Sequence, residues 1–247
     1  MKLEHHSTAR SLTAMNRVVV LLALLLTVTG HAADAPKIHP TNVSFRHEVQ
    51  RALEKGNDFL KSAQHSNGWR STPEHPSVTA LALAAMMGEP GARLKNGAEV
   101  KKGYAFVLSC VKPDGGIYGT NLQNYNTSIS MMGLLAANDP KHDAVLRRAR
   151  AFVAGMQADL GERGKMDSPW DGGLGYSHEA GRSDMNNTLT ALEALHYSKH
   201  LIADQGGDAK DLNWAAAIQF LQTCQNLPGV NRQPWVSTDA QDRGGFV

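Results

Sequence analysis

The chain has 247 residues, of which 42% are hydrophobic and 19% charged, with 25 Lys and Arg against 23 Asp and Glu. That composition is globular and argues against a disordered or fibrous chain. The length allows one large domain or two small ones. Ala, Leu and Gly are plentiful and aromatics make up only 6%, which favours helices joined by glycine turns over an all-β design.

The N-terminus has the three-part form of an export signal. Arg10 and Arg17 supply positive charge, Val18 to Val28 is an apolar run, and Gly30-His31-Ala32-Ala33 follows with small residues. Met15 is an alternative start, because Met15-Asn16-Arg17 leads directly into the apolar run. The run falls short of the roughly 20 residues that a membrane helix needs. Residues 1–33 therefore read as a signal peptide, 34–44 as a linker and 45–247 as the mature fold, destined for a periplasmic or secreted location. Taking Lys2, Arg10, Arg17 and Glu4 away with the leader leaves 22 basic and 22 acidic residues. A neutral chain has no electrostatic footprint for nucleic acid or anionic lipid. No transmembrane span is expected.

The mature sequence repeats. The first unit runs Lys55-Gly56-Asn57-Asp58-Phe59-Leu60-Lys61-Ser62-Ala63-Gln64 and closes on Gly68-Trp69. The second runs Lys102-Gly103-Tyr104-Ala105-Phe106-Val107 to Gly115-Gly116-Ile117-Tyr118. The third runs Arg148-Ala149-Arg150-Ala151-Phe152-Val153 to Gln157, then Gly172-Gly173-Leu174-Gly175-Tyr176. The fourth runs Ala216-Ala217-Ile218-Gln219-Phe220-Leu221 to Gln225, then Gly244-Gly245-Phe246. Phe59, Phe106, Phe152 and Phe220 are 47, 46 and 68 residues apart. The long interval holds two inserted loops, Gly161 to Trp170 and Ala203 to Asp211, and loops accept insertions at small cost.

Each unit predicts two helices. The first is amphipathic: Val49, Leu53, Phe59, Leu60 and Ala63 fall at roughly 3.6-residue spacing and predict a buried stripe. The second is apolar nearly all round, over Ser77 to Met87, Thr127 to Ala137 and Asn187 to Tyr197. A helix without a polar face must be buried on most sides, so the second helices form an inner layer. Glu89-Pro90 and Asp139-Pro140 close the first two of them. Cys110 and Cys224 each sit four residues after their unit's Phe, at equivalent positions in different hairpins, and read as two free thiols.

The pattern basic, small, two residues, Phe, aliphatic, three residues, Gln, then Gly and an aromatic resembles the QW motif of squalene-hopene cyclases. Lys55 to Trp69 matches it almost completely. The third unit keeps Arg148, Ala149, Phe152, Val153 and Gln157, the fourth keeps Phe220, Leu221 and Gln225, and the second puts Val111 in place of the Gln. The resemblance covers residues 45–247. It implies an all-α fold, part of the α/α toroid of repeated hairpins shared by terpenoid cyclases and protein prenyltransferase β subunits. It also implies structural roles for Gln64, Trp69, Gln157 and Gln225, with the Gln bonding backbone groups at the turn and the aromatic stacking on the neighbouring hairpin.

Cyclases of that family protonate an alkene with an aspartic acid in an Asp-x-Asp-Asp-Thr stretch at the start of an inner helix. Here the stretch that resembles it is Asp184-Met185-Asn186-Asn187-Thr188, a degenerate acid motif. Asn186 stands where the proton donor belongs and Asn187 replaces the next acid. An amide cannot supply that proton. Asn186 or Asn187 would also serve as an N-cap, and Tyr125-Asn126-Thr127 opens the previous inner helix in the same way. Asp184 remains as a candidate acid or a capping carboxylate.

The prenyltransferase branch needs zinc held by Asp, Cys and His. His196 and His200 are four apart, but no third ligand is evident, and a helix C-terminus accounts for both. No cofactor or metal is expected. Asp171, Glu179 and Asp184 fall in one region and could in principle form a glycosidase-type pair, although Asp114 and Asp171 both precede Gly-Gly and suit turns.

The last residues, Gln241 to Val247, resemble the opening of another glycine turn, and the sequence is expected to be a piece of a longer ring. Two readings follow. In the first, the protein lacks the cyclase proton donor and binds an isoprenoid, another apolar ligand or a protein partner. In the second, it is an active cyclase-like or prenyltransferase-like enzyme whose catalytic residues lie in missing C-terminal sequence.

Overall fold

The computed structural model describes residues 42–177, 182–208 and 211–246. The segment read as a signal peptide, most of the expected linker and Glu179 lie outside the described residues. The chain divides into Met1–Arg51 and Ala52–Val247. Of the first unit, residues 42–51 are described, and they lead into the first half of helix α1.

Among the described residues there are seven α-helices and no β-strand, which places the protein in the all-α class. They are α1 (Val43–Ser62), α2 (Pro76–Met87), α3 (Ala98–Ser109), α4 (Gln123–Ala137), α5 (Asp143–Ala154), α6 (Met185–Tyr197) and α7 (Trp214–Thr223). Two 3-10 segments, Pro140–His142 and Lys199–Asp208, complete the set. The second falls partly where the sequence predicts an inserted loop, and it follows directly on α6.

The apolar helices α2, α4 and α6 form the centre. The most extensive contacts run from α2 to α4 and from α4 to α6. α3 packs on α2, and α5 packs on α4 and α6. No residue of α4 is exposed, as expected for a helix with neighbours on every side. Backbones come close here: a Cβ on Gly133 would lie 2.9 Å from the carbonyl oxygen of Ala80. The core includes Leu83, Met86, Val107, Met131, Leu134 and Leu195, all at most 1% exposed. Burial of each such side chain stabilises by about 1.5–3 kcal/mol.

A repeated turn joins each amphipathic helix to the next part of the unit. Two backbone hydrogen bonds close it every time: His65 with Trp69 and Gly68, Lys112 with Gly116 and Gly115, Ala158 with Gly173 and Gly172, and Asn226 with Gly245 and Gly244. The glycine that reverses the chain has φ of +94° at Gly68, +98° at Gly115, +82° at Gly172 and +88° at Gly244. This is a left-handed conformation that glycine adopts without steric cost. The first three turns then press against the following amphipathic helix. A Cβ on Gly68 would meet the Lys102 carbonyl, one on Gly115 the Arg148 carbonyl, and one on Gly172 the Ala216 carbonyl.

A threonine ties each turn to its inner helix. Thr79 Oγ1 accepts from Arg70 N, Thr127 Oγ1 from Ile117 N, and Thr188 Oγ1 from Leu174 N, each at 2.9 Å. All three threonines are fully buried. The equivalence sets the register of the inner helices, so that Val78, Asn126 and Asn187 correspond, as do Ser77, Tyr125 and Asn186.

That register identifies two uncovered flanks. Asn126 of α4 accepts from Ser77 Oγ of α2 at 2.8 Å. The corresponding side of α2, bearing Val78, Leu81 and Ala85, is exposed. So is the side of α6 that corresponds to Ser77, with Asn186, Leu189 and Glu193. The expected buried stripe of α1 is also open: Val49 is 43% and Phe59 68% exposed. The later anchors are covered because a preceding turn lies on them. Gly116 approaches Phe152, Gly173 approaches Phe220, and Phe220 is only 2% exposed. Phe59 belongs to the first unit, and among the described residues no such turn precedes it.

Two arginines hold loops to the helices, Arg150 from within the core and Arg93 from the surface onto the buried Glu89. Arg150 donates to Leu195 O, to Ser198 Oγ at 2.7 Å and to Asp211 Oδ1 at 2.8 Å, fixing the segment after α6. Glu89, after α2, receives Arg93 N at 3.0 Å and Arg93 Nε at 2.7 Å, clasping a turn with Gly91 and Ala92 at positive φ. Its hydrogen bonds with Arg93 hold the Glu89 carboxyl below its ordinary value.

Gly115→Ala should lower stability by at least about 2 kcal/mol more than Gly164→Ala, measured by urea unfolding. Both force a left-handed alanine, a strain of about 1–2 kcal/mol, but the Gly115 Cβ meets the Arg148 carbonyl oxygen at 2.8 Å and the Gly164 Cβ meets nothing within 4 Å. Glu89→Gln should flatten the acid limb of a stability-versus-pH curve. A carboxyl with a depressed folded pKa stabilises above its unfolded value, about 4.3, and loses that contribution as pH falls through the folded value.

Candidate functional site

The stretch that resembles the acid motif lies at the start of α6, and its chemistry is decided by Asp184. Asp184 has extended backbone and is the N-cap. Its Oδ1 accepts from Asn187 N at 2.8 Å and its Oδ2 from Asn187 Nδ2 at 2.6 Å. Both oxygens are thus occupied by the first turn of the helix, as the orphan donors of a helix start require. Asn186 and Asn187 do not cap. Asn186 is exposed on the open flank, and its carbonyl accepts from Thr190 Oγ1 at 2.9 Å. Asn187 is fully buried, and its Oδ1 has no partner among the described residues. The previous inner helix starts differently, since Leu122 sits at its N-cap with φ of +51° and no side-chain cap bond.

The glutamines sit at the turns. Gln64 Nε2 donates to Gly68 O and Glu99 O, both at 2.9 Å. Gln157 Nε2 donates to Gly172 O and Asn213 O, and its Oε1 accepts from Asn213 N, all at 2.9 Å. Gln225 Nε2 donates to Gly244 O at 2.9 Å. A single amide therefore joins a turn to the entry of the next amphipathic helix. Val111 has no such group to offer. Trp69 stacks on His65 of its own turn, with centroids 4.1 Å apart. The stacking of a turn aromatic on the next hairpin is made by Tyr118, whose ring lies 5.9 Å from Phe152. The Tyr118 hydroxyl donates to Asp114 at 2.6 Å, and this bond, with burial, pushes its pKa up to about 12.

The remaining candidates are not brought together. Asp171 is 1% exposed, and its oxygens accept from Leu160 N at 2.7 Å and Ser168 N at 2.8 Å, a loop-holding role. His196 and His200 are exposed, and His200 Nδ1 lies 3.1 Å from Tyr197 O. Among the described residues no three His, Cys, Asp or Glu side chains are grouped as metal ligands. Cys110 and Cys224 are free thiols.

A cavity of about 380 Å³ opens beside Asp184. Met185 and Phe220 line it from the helices, Trp170 from the loop after α5 and Trp235 from the segment after α7. Trp170 and Trp235 remain 40% and 42% exposed. Thr223, Cys224, Gln233 and Ser183 complete most of the wall. Burial pushes the Cys224 thiol up, and the nearby Asp184 carboxylate pushes it further, so the thiol stays protonated at neutral pH. Two indoles, a phenylalanine ring and a thioether around one carboxylate make a surface suited to holding an apolar body. A larger cavity of about 450 Å³ lies near Gln157, Arg163, Lys165 and Asp171 and is polar.

The sequence reading missed Trp170 and Trp235. Each is a tryptophan in a long irregular stretch, and that isolation was the available signal, because a loop tryptophan has no helix face to bury in. No helix among the described residues is long and apolar enough to cross a membrane. No family model matches the chain, and neither a curated protein nor a solved structure matches it.

Asp184→Ala should cost about 1 kcal/mol of stability by removing the cap, whereas Asp184→Asn should stay within a few tenths, since Asn caps as well as Asp. Thermal unfolding of the two variants beside the parent checks this.

Proposed function

We propose that the protein is an exported helical-repeat protein of squalene-cyclase-like ancestry that binds an apolar molecule in the cavity beside Asp184 and does not perform cyclisation. The observation that supports this most is the state of the acid motif. Protonating an alkene needs a carboxylic acid free to donate, tuned by neighbouring groups and by a dry pocket. Asp184 spends both oxygens on Asn187, and the amide of Asn186 has no acidic proton to give. What remains at the site is a binding surface of Trp170, Trp235, Phe220 and Met185. The four repeated turns and the central α2, α4 and α6 support an arc of an α/α toroid as the scaffold.

Incubation with squalene and with shorter polyprenyl compounds should give no cyclised product, and native mass spectrometry of the purified protein should show a co-purified apolar molecule that Trp235→Ala releases. Product that forms in the parent and disappears in Asp184→Asn would overturn the proposal and restore the enzyme reading.

A further inference from the structure

The cavity beside Asp184 also bears on the charge of its ligand, an inference that rests on the apolar-binding reading above. Ten residues line it, and Asp184 is the one that carries a formal charge at neutral pH. Among the described residues that line the space none is Lys, Arg or His. The two hydrogen bonds to Asp184 come from an amide N–H and a carboxamide. They occupy both oxygens and cancel no charge, so the carboxylate still acts on a cation through its field.

The opposing field is the start of α6. A helix N-terminus is equivalent to about half a positive charge, less than the full negative charge of Asp184, so the site stays net negative. The other wall groups add to the same sign. Trp170, Trp235 and Phe220 are aromatic, and the faces of such rings attract cations, indole most strongly. Both tryptophans keep a large part of their surface accessible, which leaves ring surface free for a ligand. A neutral hydrocarbon would use the rings and ignore the carboxylate. A carboxylate or phosphate ligand would meet repulsion from Asp184.

We propose that the ligand of this cavity is an organic ammonium ion: a cationic nitrogen carried on a hydrocarbon or aromatic body, the nitrogen beside Asp184 and the body between Trp170 and Trp235.

Benzyltrimethylammonium and neopentylbenzene test this directly, because they have the same shape and differ by one charge. Binding to the full chain is followed by tryptophan fluorescence at low and at high salt. The expected result is at least a tenfold preference for the cation at low salt, reduced by salt, and removed in Asp184→Asn with neopentylbenzene binding unchanged. Asp184→Asn keeps a competent cap, so an unchanged circular dichroism spectrum and melting temperature show that its loss of preference is not unfolding. Trp235→Ala should weaken both compounds. Equal binding of the two compounds to the parent would overturn the ammonium assignment and leave the apolar-binding proposal standing. Failure of both compounds to bind overturns both proposals.

Discussion

The structure depends on one contact made again and again: a glycine at positive φ laid against a carbonyl of the next amphipathic helix, with a threonine hydroxyl holding the turn's N–H from the other side. Gly68, Gly115 and Gly172 make the first half of it, and Thr79, Thr127 and Thr188 the second. A turn placed that close to a helix has buried backbone groups that water cannot reach, and each must find a partner inside the protein. The glutamine supplies one. Gln64 and Gln157 each donate to the turn's own glycine carbonyl and to the backbone at the entry of the next helix. The motif is therefore a device for satisfying backbone polarity at a tight junction, and it recurs because the junction recurs.

The same logic explains why the acid motif at α6 is quiet. A helix start leaves four N–H groups without intrahelical partners. In α6 Asp184 meets that need, and Asn187 adds a second bond from its side chain. Of the five residues from Asp184 to Thr188, the threonine has the most general role, because its equivalents hold the turns of α2 and α4 as well. Asn186 lies where Ser77 lies on α2, and Ser77 bonds across to the following inner helix. Position and exposure therefore give Asn186 the character of an edge residue of α6 rather than of a group in a closed pocket.

Much of this was legible in the sequence. The ends of the inner helices at Met87, Ala137 and Tyr197 coincide with the predicted ends, because the run of apolar residues and what stops it are both local. The glycine turns were legible because a left-handed residue under a close contact leaves little choice but glycine. The stripe on α1 was not. Val49, Leu53 and Phe59 have the right period, yet burial depends on whether another element arrives to cover them, and spacing carries no information on that. The capping of α6 by Asp184 in place of Asn186 or Asn187 was a matter of two residues of register, which several good capping residues in a row leave undecided. The cavity was hidden for a further reason. Its wall comes from loops at 170 and 235 and from helices at 185 and 220, far apart in sequence and joined only by the fold.

The insertions that lengthen the third and fourth units account for where that cavity sits. In the first unit the turn is short, running from His65 to Trp69. In the third, Ala158 pairs with Gly173, and in the fourth Asn226 pairs with Gly245, so the same two-bond closure now spans a long excursion. The closure fixes the ends of each excursion, and the loop between is free to carry side chains with no place in the core. Asp159, Asp167 and Asp171 fold the first excursion on itself through backbone N–H bonds. Asn226 and Asn231 hold the second, their side-chain amides donating to the Asp242 and Thr223 carbonyls while Asn226 Oδ1 accepts from Ser237 N. Rigid loops built this way can hold a large aromatic ring half in solvent, a position that a collapsing loop would not keep. Trp170 and Trp235 are brought by that means to the cavity lined by the one carboxylate that the helix start requires. The scaffold thus sets a negative charge beside aromatic surface as a consequence of capping α6, and the binding proposed for that point would draw on a charge that folding has already put there.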